Sequence, residues 1–250
     1  MIEAKEINFA YRRGIPVLFD INCKIEDGEF VALLGHNGSG KTTLSRLFMA
    51  LDHPRSGQIL VDGEDIVNYE PADLADTVYE EVAYGPRVKK LPEANVKENV
   101  KAALQAMGLK GLEAKYPRVL SFGQKRRLGV AAALALNPRM LILDEITNGQ
   151  DAAEQGAMLE YLKALNEEKG TTIILITHDM NVVRQYARRA IVLTDGHLVF
   201  SGTPKELFEG NQPVERWGLR RPTVSVLASA LGVSAATCSE FCDAIRKEGF

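Results

Sequence analysis

Apolar and polar residues alternate through KEINFAY and VLFDINCKI near the start of the chain, the pattern of two half-buried antiparallel strands joined by the turn RRGIP. The pattern then changes. FVALL is apolar throughout and runs into a glycine-rich loop, as a buried strand does, and TTLSRLFMALD switches to helical periodicity. GQILVDGEDI reads as a strand plus a turn. From TVYEEVAYGP through NVKENVKAALQAMGL to KRRLGVAAALAL the spacing is mostly helical, which predicts a helical insertion at about residues 77–137 rather than more sheet. RMLILDE is another buried strand, followed by the helix AAEQGAMLEYLKALNEEKG, which stops at a glycine. TTIILITHD, RAIVLTD and HLVFSG supply three more strands. After GTPKELFEG the text becomes NQPVERWGLRRPTVSVLASALG, punctuated by prolines, and then a short helix in AATCSEFCDAIRKEG. A boundary near residue 211 therefore separates a main domain over 1–210 from a small C-terminal extension over 211–250. There is no internal repeat and no low-complexity tract.

Composition narrows the class. The chain has 250 residues, 46% apolar and 25% charged, enough for one large α/β domain or a smaller one with an appendage. A net charge of −3 and a pI near 5.9 leave no basic footprint for nucleic acid. The opening residues carry no apolar core of a secretory signal. No apolar run approaches the ~18 residues a spanning helix needs, so work at a membrane would go through a partner. Three cysteines, Cys23, Cys238 and Cys242, argue against a disulfide framework and for a reducing compartment. Cys238 and Cys242 stand at helical i, i+4 spacing and could meet a metal. With no other Cys or His nearby, ordinary free thiols are the better reading.

Residues 35–42, GHNGSGKT, fit G-x-x-x-x-G-K-[ST] at every fixed position, with an apolar strand before and a helix after. Gly35, Gly38 and Gly40 let the backbone curl so that the N–H groups of His36, Asn37, Ser39 and their neighbours can point at an anion. The helix beginning near Gly40 adds its positive end. Lys41 would neutralise β- and γ-phosphates, and Thr42, followed by Thr43, would offer a hydroxyl to Mg²⁺. The alternative is an accidental glycine-rich turn.

LILDE sets Asp144 and Glu145 at the C-terminal end of an apolar strand, where open α/β sheets bind ligands. Asp144 would hold Mg²⁺ through water, and Glu145 would orient or deprotonate an attacking water. Alternatively, the strand merely turns polar at the surface. His178, in LITHD, follows another buried strand to the same sheet edge. It either reaches the γ-phosphate as a second catalytic residue or is structural.

GHNGSGKTT, LSFGQKRR, MLILDE, NGQD and LITHD, in that order, resemble the ATP-binding cassette of ABC transporters over about residues 2–210. The intervals agree with that family: 23 residues from Ser121 to Asp144 and 34 from Asp144 to His178. The resemblance implies an ABC-type P-loop NTPase fold with an N-terminal antiparallel β subdomain and a helical signature subdomain. It implies two cassettes, homo- or heterodimeric, paired head to tail around MgATP. Ser121, Phe122, Gly123 and Gln124, with Asp151 of NGQD, would then face the partner's nucleotide, and Tyr11 would stack on adenine. TVYEEVAYGP, GTPKELF and GLRRPTVSVLASALG are similar to the ATPases of energy-coupling factor importers, the cobalt- and vitamin-uptake branch. That implies integral membrane subunits as partners, a peripheral place on the cytoplasmic face of the membrane, and no nucleic acid.

The sequence also departs from the family. Only 80 residues separate Lys41 from Ser121, and no Gln occurs between Gln58 and Gln105. The family runs from a segment like EPADLAD through a strand and a Gln-bearing loop before TVYEEVAYGP. The resemblance makes that Gln a Mg²⁺ ligand whose loop faces the membrane subunit. Either the chain has lost this loop, or a segment is omitted and the numbering closes over it. Omission is favoured, because deleting a core strand leaves an unpaired edge and a cavity. Ile146 stands where Pro is usual and Gln150 where Leu is usual, both at the family's dimer seam. A non-transport, nucleotide-switched cassette and a hydrolysis-deficient ATP-binding subunit are the rival functions.

Overall fold

The structure, a computed structural model, describes residues 1–11, 15–61, 64–65, 76–146, 152–209, 212–233 and 238–248. Asp151 and Gln150 lie outside the described residues. Asp76 and Thr77 are consecutive in the sequence and are both described. The chain divides into two compact units, Met1–Tyr69 with Ile174–Phe250, and Glu70–Ile173.

In the first unit, β1 (Ile2–Phe9) pairs antiparallel with β2 (Leu18–Ile25), as the alternation predicts. Strict period two would send Glu6 inward. Instead the register shifts twice: between Ile7 and Phe9, near Asp20 of β2 at φ +45°, and between Ala4 and Ile7, where Glu6 takes φ +50°. These shifts let Ile2, Ala4, Ile7 and Phe9 face the core together. Asn side chains take up the displaced amides: Glu6 N donates to Asn22 Oδ1 (2.9 Å) and Asp20 N to Asn8 Oδ1 (3.1 Å).

β3 (Phe30–Leu34) is buried at every residue and leads to α1 (Lys41–Phe48). β4 (Ser56–Val61) pairs with β1 and with the short β5 (Glu64–Asp65), so the antiparallel sheet runs β2-β1-β4-β5.

The second unit begins, among described residues, directly at Asp76. Thr77 caps α2 (Val78–Val88), its hydroxyl accepting from Glu80 N at 3.1 Å. α3 (Glu93–Ala106) and α4 (Phe122–Leu134) pack on α2 through buried Val78, Val82, Val96, Val100, Leu104, Leu128 and Ala131. β6 (Met140–Asp144) and α5 (Ala152–Lys169) follow, α5 stopping at Gly170 with φ +66°. Thr172 N donates to Arg139 O (2.8 Å), tying the start of β7 (Thr172–Ile176) to the start of β6.

Returning to the first unit, α6 (Met180–Tyr186) leads to β8 (Arg189–Thr194), parallel to β3, and β9 (His197–Gly202), antiparallel to β8. The sheet order there is β7-β3-β8-β9. Asp195 and Gly196, at φ +48° and +78°, form the two-residue hairpin turn that an Asp-Gly pair favours. α7 (Pro204–Glu209), a 3-10 turn at Val214–Trp217, α8 (Thr223–Ala230) and α9 (Cys238–Glu248) complete the chain. Val214 and Leu219 join Ala32, Leu34, Val192 and Phe208 in one cluster, with Trp217 against it. Burial pushes the Cys23 thiol up to about 11, and Cys23 and Cys242 are both free. Among the described residues no cluster of three or more His, Cys, Asp or Glu side chains could hold a metal, and no helix is long and apolar enough to cross a membrane.

Candidate functional site

β3 ends at Leu34 and α1 begins at Lys41, so the phosphate loop lies between a fully buried strand and a helix N-terminus. The loop is tight. At Gly35, φ +145°, a Cβ would fall 2.1 Å from Leu193 O and 2.5 Å from Ser39 Oγ. Gly40 caps α1 at φ +102° with no side-chain capping bond, so no side chain of the cap covers the first-turn amides. A Cβ there would strike Leu18 Cδ2 at 2.6 Å.

Two groups inside the loop fit a phosphate. Lys41 is only 7% exposed, and its Nζ donates to the loop's own carbonyls, Gly35 O at 2.9 Å and His36 O at 3.0 Å. Ser39 Oγ is buried without a hydrogen-bond partner, an orphan that an anionic oxygen would satisfy. His36 Nε2 lies 3.2 Å from Asp195 Oδ1, and its Nδ1 lies 2.8 Å from Asn37 O. Asn37 is exposed. Thr42 is exposed at the first turn of α1, and buried Thr43 shares a hydrogen bond with Tyr11 Oη at 3.2 Å. Tyr11 itself is 56% exposed and stands edge-on to Phe9, so two residues beyond β1 an aromatic is anchored to the helix that follows the phosphate loop.

His178 is exposed two residues past β7, the strand beside β3. The next residue, Asp179, caps α6, accepting from Asn181 N at 2.9 Å and Val182 N at 3.3 Å.

The second unit carries the carboxylates and the signature turn. Asp144 is exposed at the last residue of β6. Glu145 follows at φ +53°, a left-handed conformation unusual for a non-glycine and common where function fixes the backbone. Ile146, in the family's proline slot, is buried. Ser121 caps α4 in a reciprocal capping box: its Oγ accepts from Gln124 N (3.2 Å), and Gln124 Oε1 accepts from Ser121 N (3.0 Å). That bond uses a lone pair and leaves the Ser121 hydroxyl proton available to an external acceptor. Ser121 and Phe122 are exposed, Phe122 by 63%, and the Arg126 guanidinium sits 4.6 Å from the Phe122 ring centre. Gly123 is buried and can offer only backbone.

Beneath the signature turn, a cavity of about 790 Å³ is lined by Asp76, Glu81, Tyr116, Val119, Lys125 and Leu128 among others. Tyr116 and Val119 are 64% and 67% exposed.

Thus the first unit brings together Tyr11, the loop from Gly35 to Thr43 and, unforeseen, Asp195 and Gly218. Asp195 carries a signal in the Asp-Gly turn; Gly218 carries none.

A buried-lysine phosphate loop, an acidic strand end and an exposed serine-capped signature helix define an ATP-binding cassette. A family model described as ABC transporter matches residues 18–148. The energy-coupling factor transporter ATP-binding protein EcfA of Methanocaldococcus jannaschii is 39% identical over 92% of this chain and 89% of its own length. An ABC transporter ATP-binding protein of Caldanaerobacter subterraneus is 39% identical over 99% of this chain but only 46% of itself, so the chain spans about half of that relative. Among solved structures, cbiO1 of Clostridium perfringens, described as part of the ABC transporter complex cbiONQ, superposes with TM-score 0.73 at 33% identity, over 91% of this chain and 98% of that one. A dimeric ATP-binding cassette in a post-hydrolysis state with ADP and Pi superposes with TM-score 0.74 at 28% identity, over 82% and 99%. The chain belongs to the ABC transporter family, as one of its P-loop ATPase cassettes.

Proposed function

We propose that this chain is the ATP-hydrolysing subunit of an importer of the energy-coupling factor type. It would work at the cytoplasmic face of the membrane with a second cassette and integral membrane subunits. The observation that carries this reading is the exposed, self-capped Ser121 turn: it has a hydroxyl proton to give and faces solvent rather than its own core.

In this reading the triphosphate displaces the carbonyls that Lys41 now holds and gives Ser39 Oγ its missing partner. The loop amides bind the β-phosphate, while Tyr11, braced by Thr43, offers its ring to the base. Ser121, the Gly123 amide and Asp151 close on the nucleotide held by the partner cassette. Thr42 and Asp144 are hard oxygen donors that suit Mg²⁺, which when bound would neutralise charge developing on the phosphates. Glu145 orients and accepts a proton from the attacking water, and His178 positions the γ-phosphate. The apolar-rimmed cavity beside Tyr116 and Val119 is the surface offered to a membrane subunit.

Support comes from the EcfA relative, from cbiO1's place in a transporter complex, and from the dimeric cassette with ADP and Pi. Purification from native membranes with identification of the companions tests the reading: integral membrane subunits are expected. Nucleotide-dependent retention on DNA or ribosomes, without them, would replace it by the non-transport alternative. One observation favours a second reading, an asymmetric pair in which this chain's site turns over slowly. The missing Gln loop removes one ligand from the cation, and single-turnover hydrolysis at this site would then lag the partner's.

A further inference from the structure

The phosphate loop is braced from outside by two segments that no motif includes. His36, the residue after Gly35, holds its ring nitrogens against Asp195 Oδ1 and Asn37 O, while its carbonyl accepts from Lys41 Nζ and from Ser39 N (3.1 Å). Asp195 belongs to the β8–β9 turn, and its neighbour Gly196 donates to Ser39 O at 3.2 Å. The second brace is C-terminal. Gly218, at φ +72°, presses so closely on His36 that a Cβ there would lie 2.7 Å from His36 Cβ and 3.5 Å from its Cα.

Gly218 is not held loosely. It closes the 3-10 turn Val214–Trp217, with Gly218 N bonded to Glu215 O (3.1 Å) and Leu219 N to Val214 O (3.0 Å). Val214 and Leu219 are buried in the core cluster that contains Ala32 and Leu34 of β3, the strand that feeds the loop. Arg221 ties the segment down further, donating to Phe208 O, to Gln212 O (2.9 Å) and to Glu215 Oε1 (3.2 Å). Movement of the phosphate loop at His36 therefore meets a rigid, core-anchored stop.

We infer that His36 is a positioning residue, clamped between Asp195 and Gly218, through which the segment Pro213–Leu219 sets the shape of the phosphate loop and registers nucleotide binding. The coupling is reciprocal: whatever moves this segment changes nucleotide affinity, and nucleotide moves the segment. The inference rests on the reading of Gly35–Thr42 as an ATP cradle.

Trp217, the only tryptophan in the chain, sits half-buried beside Gly218, 6.1 Å from the Phe200 ring. The full chain is titrated with MgATP while Trp217 emission is followed, and affinity for a fluorescent ATP analogue is measured separately. Wild type binds the analogue, and MgATP changes Trp217 emission. Gly218→Ala lowers affinity about tenfold by forcing its Cβ into His36. His36→Gly removes the obstructing Cβ and Cγ, so Gly218→Ala costs clearly less in that background than in wild type, the remainder being the strain of alanine at φ +72°. Asp195→Asn keeps a residue that tolerates the turn and removes the charge, lowering affinity about threefold at unchanged melting temperature; this arm stands if Gly218→Ala fails to fold.

If wild type does not bind the analogue, the cradle reading itself falls. If it binds but Trp217 emission is indifferent to MgATP, the clamp is wrong. The clamp fails equally if Gly218→Ala costs as much in the His36→Gly background as in wild type, or if Asp195→Asn binds as wild type does.

Discussion

Two helix N-termini in this molecule carry the residues proposed to meet phosphate, and they are finished in opposite ways. α1 begins at Gly40 with no side-chain cap, a buried lysine turned onto its own loop and a buried serine hydroxyl without a partner. α4 begins at Ser121 with a complete capping box, exposed to solvent. An uncapped terminus is costly unless a ligand supplies the missing acceptors. A capped one is stable alone and has one hydroxyl proton to spare. On the proposed function this contrast is a division of labour: the first terminus would bind the nucleotide, and the second would complete a site held by another chain.

The largest effect should come from breaking the first. Lys41→Ala removes the cation at the heart of the loop, and MgATP affinity measured by calorimetry should fall at least about a hundredfold. A change below about threefold would mean that the loop does not bind phosphate. Next comes Ser121→Ala. Loss of the cap should cost about 1 kcal/mol in denaturant unfolding. ATP hydrolysis should fall about tenfold while ATP affinity of the isolated chain stays within about twofold. An equal loss in binding would show that both termini serve one chain's nucleotide. The smallest effect is expected at Phe122. Its ring is exposed and lies against Arg126, so Phe122→Ala should change stability by less than about 1 kcal/mol. A larger loss would show that the signature turn is packed rather than presented.

Much of this contrast is legible in the sequence, because both termini depend on local residue type. Gly40-Lys41 and Ser121-x-x-Gln124 write their own geometry, and the buried runs of β3 and β7 announce strands closed in on both faces. What the sequence hides is tertiary. The register shifts near Glu6 and Asp20 break the alternation without any glycine to mark them. The family resemblance offers Tyr11 as an adenine platform, but nothing local reveals its hydrogen bond to Thr43. Gly218 meets His36 from the far end of the chain, and no pattern of period two or 3.6 encodes that. The spacing before Ser121 shows that a strand and loop are absent from the sequence, but spacing alone does not give the cause.

The most direct test is sedimentation velocity of Glu145→Gln, with and without MgATP. A monomer is expected without nucleotide and a dimer with it. Adding Ser121→Arg should return the protein to monomer without weakening nucleotide binding to the single chain. A Glu145→Gln protein that stays monomeric at saturating MgATP, or a dimer that survives Ser121→Arg, would contradict a nucleotide shared between two cassettes.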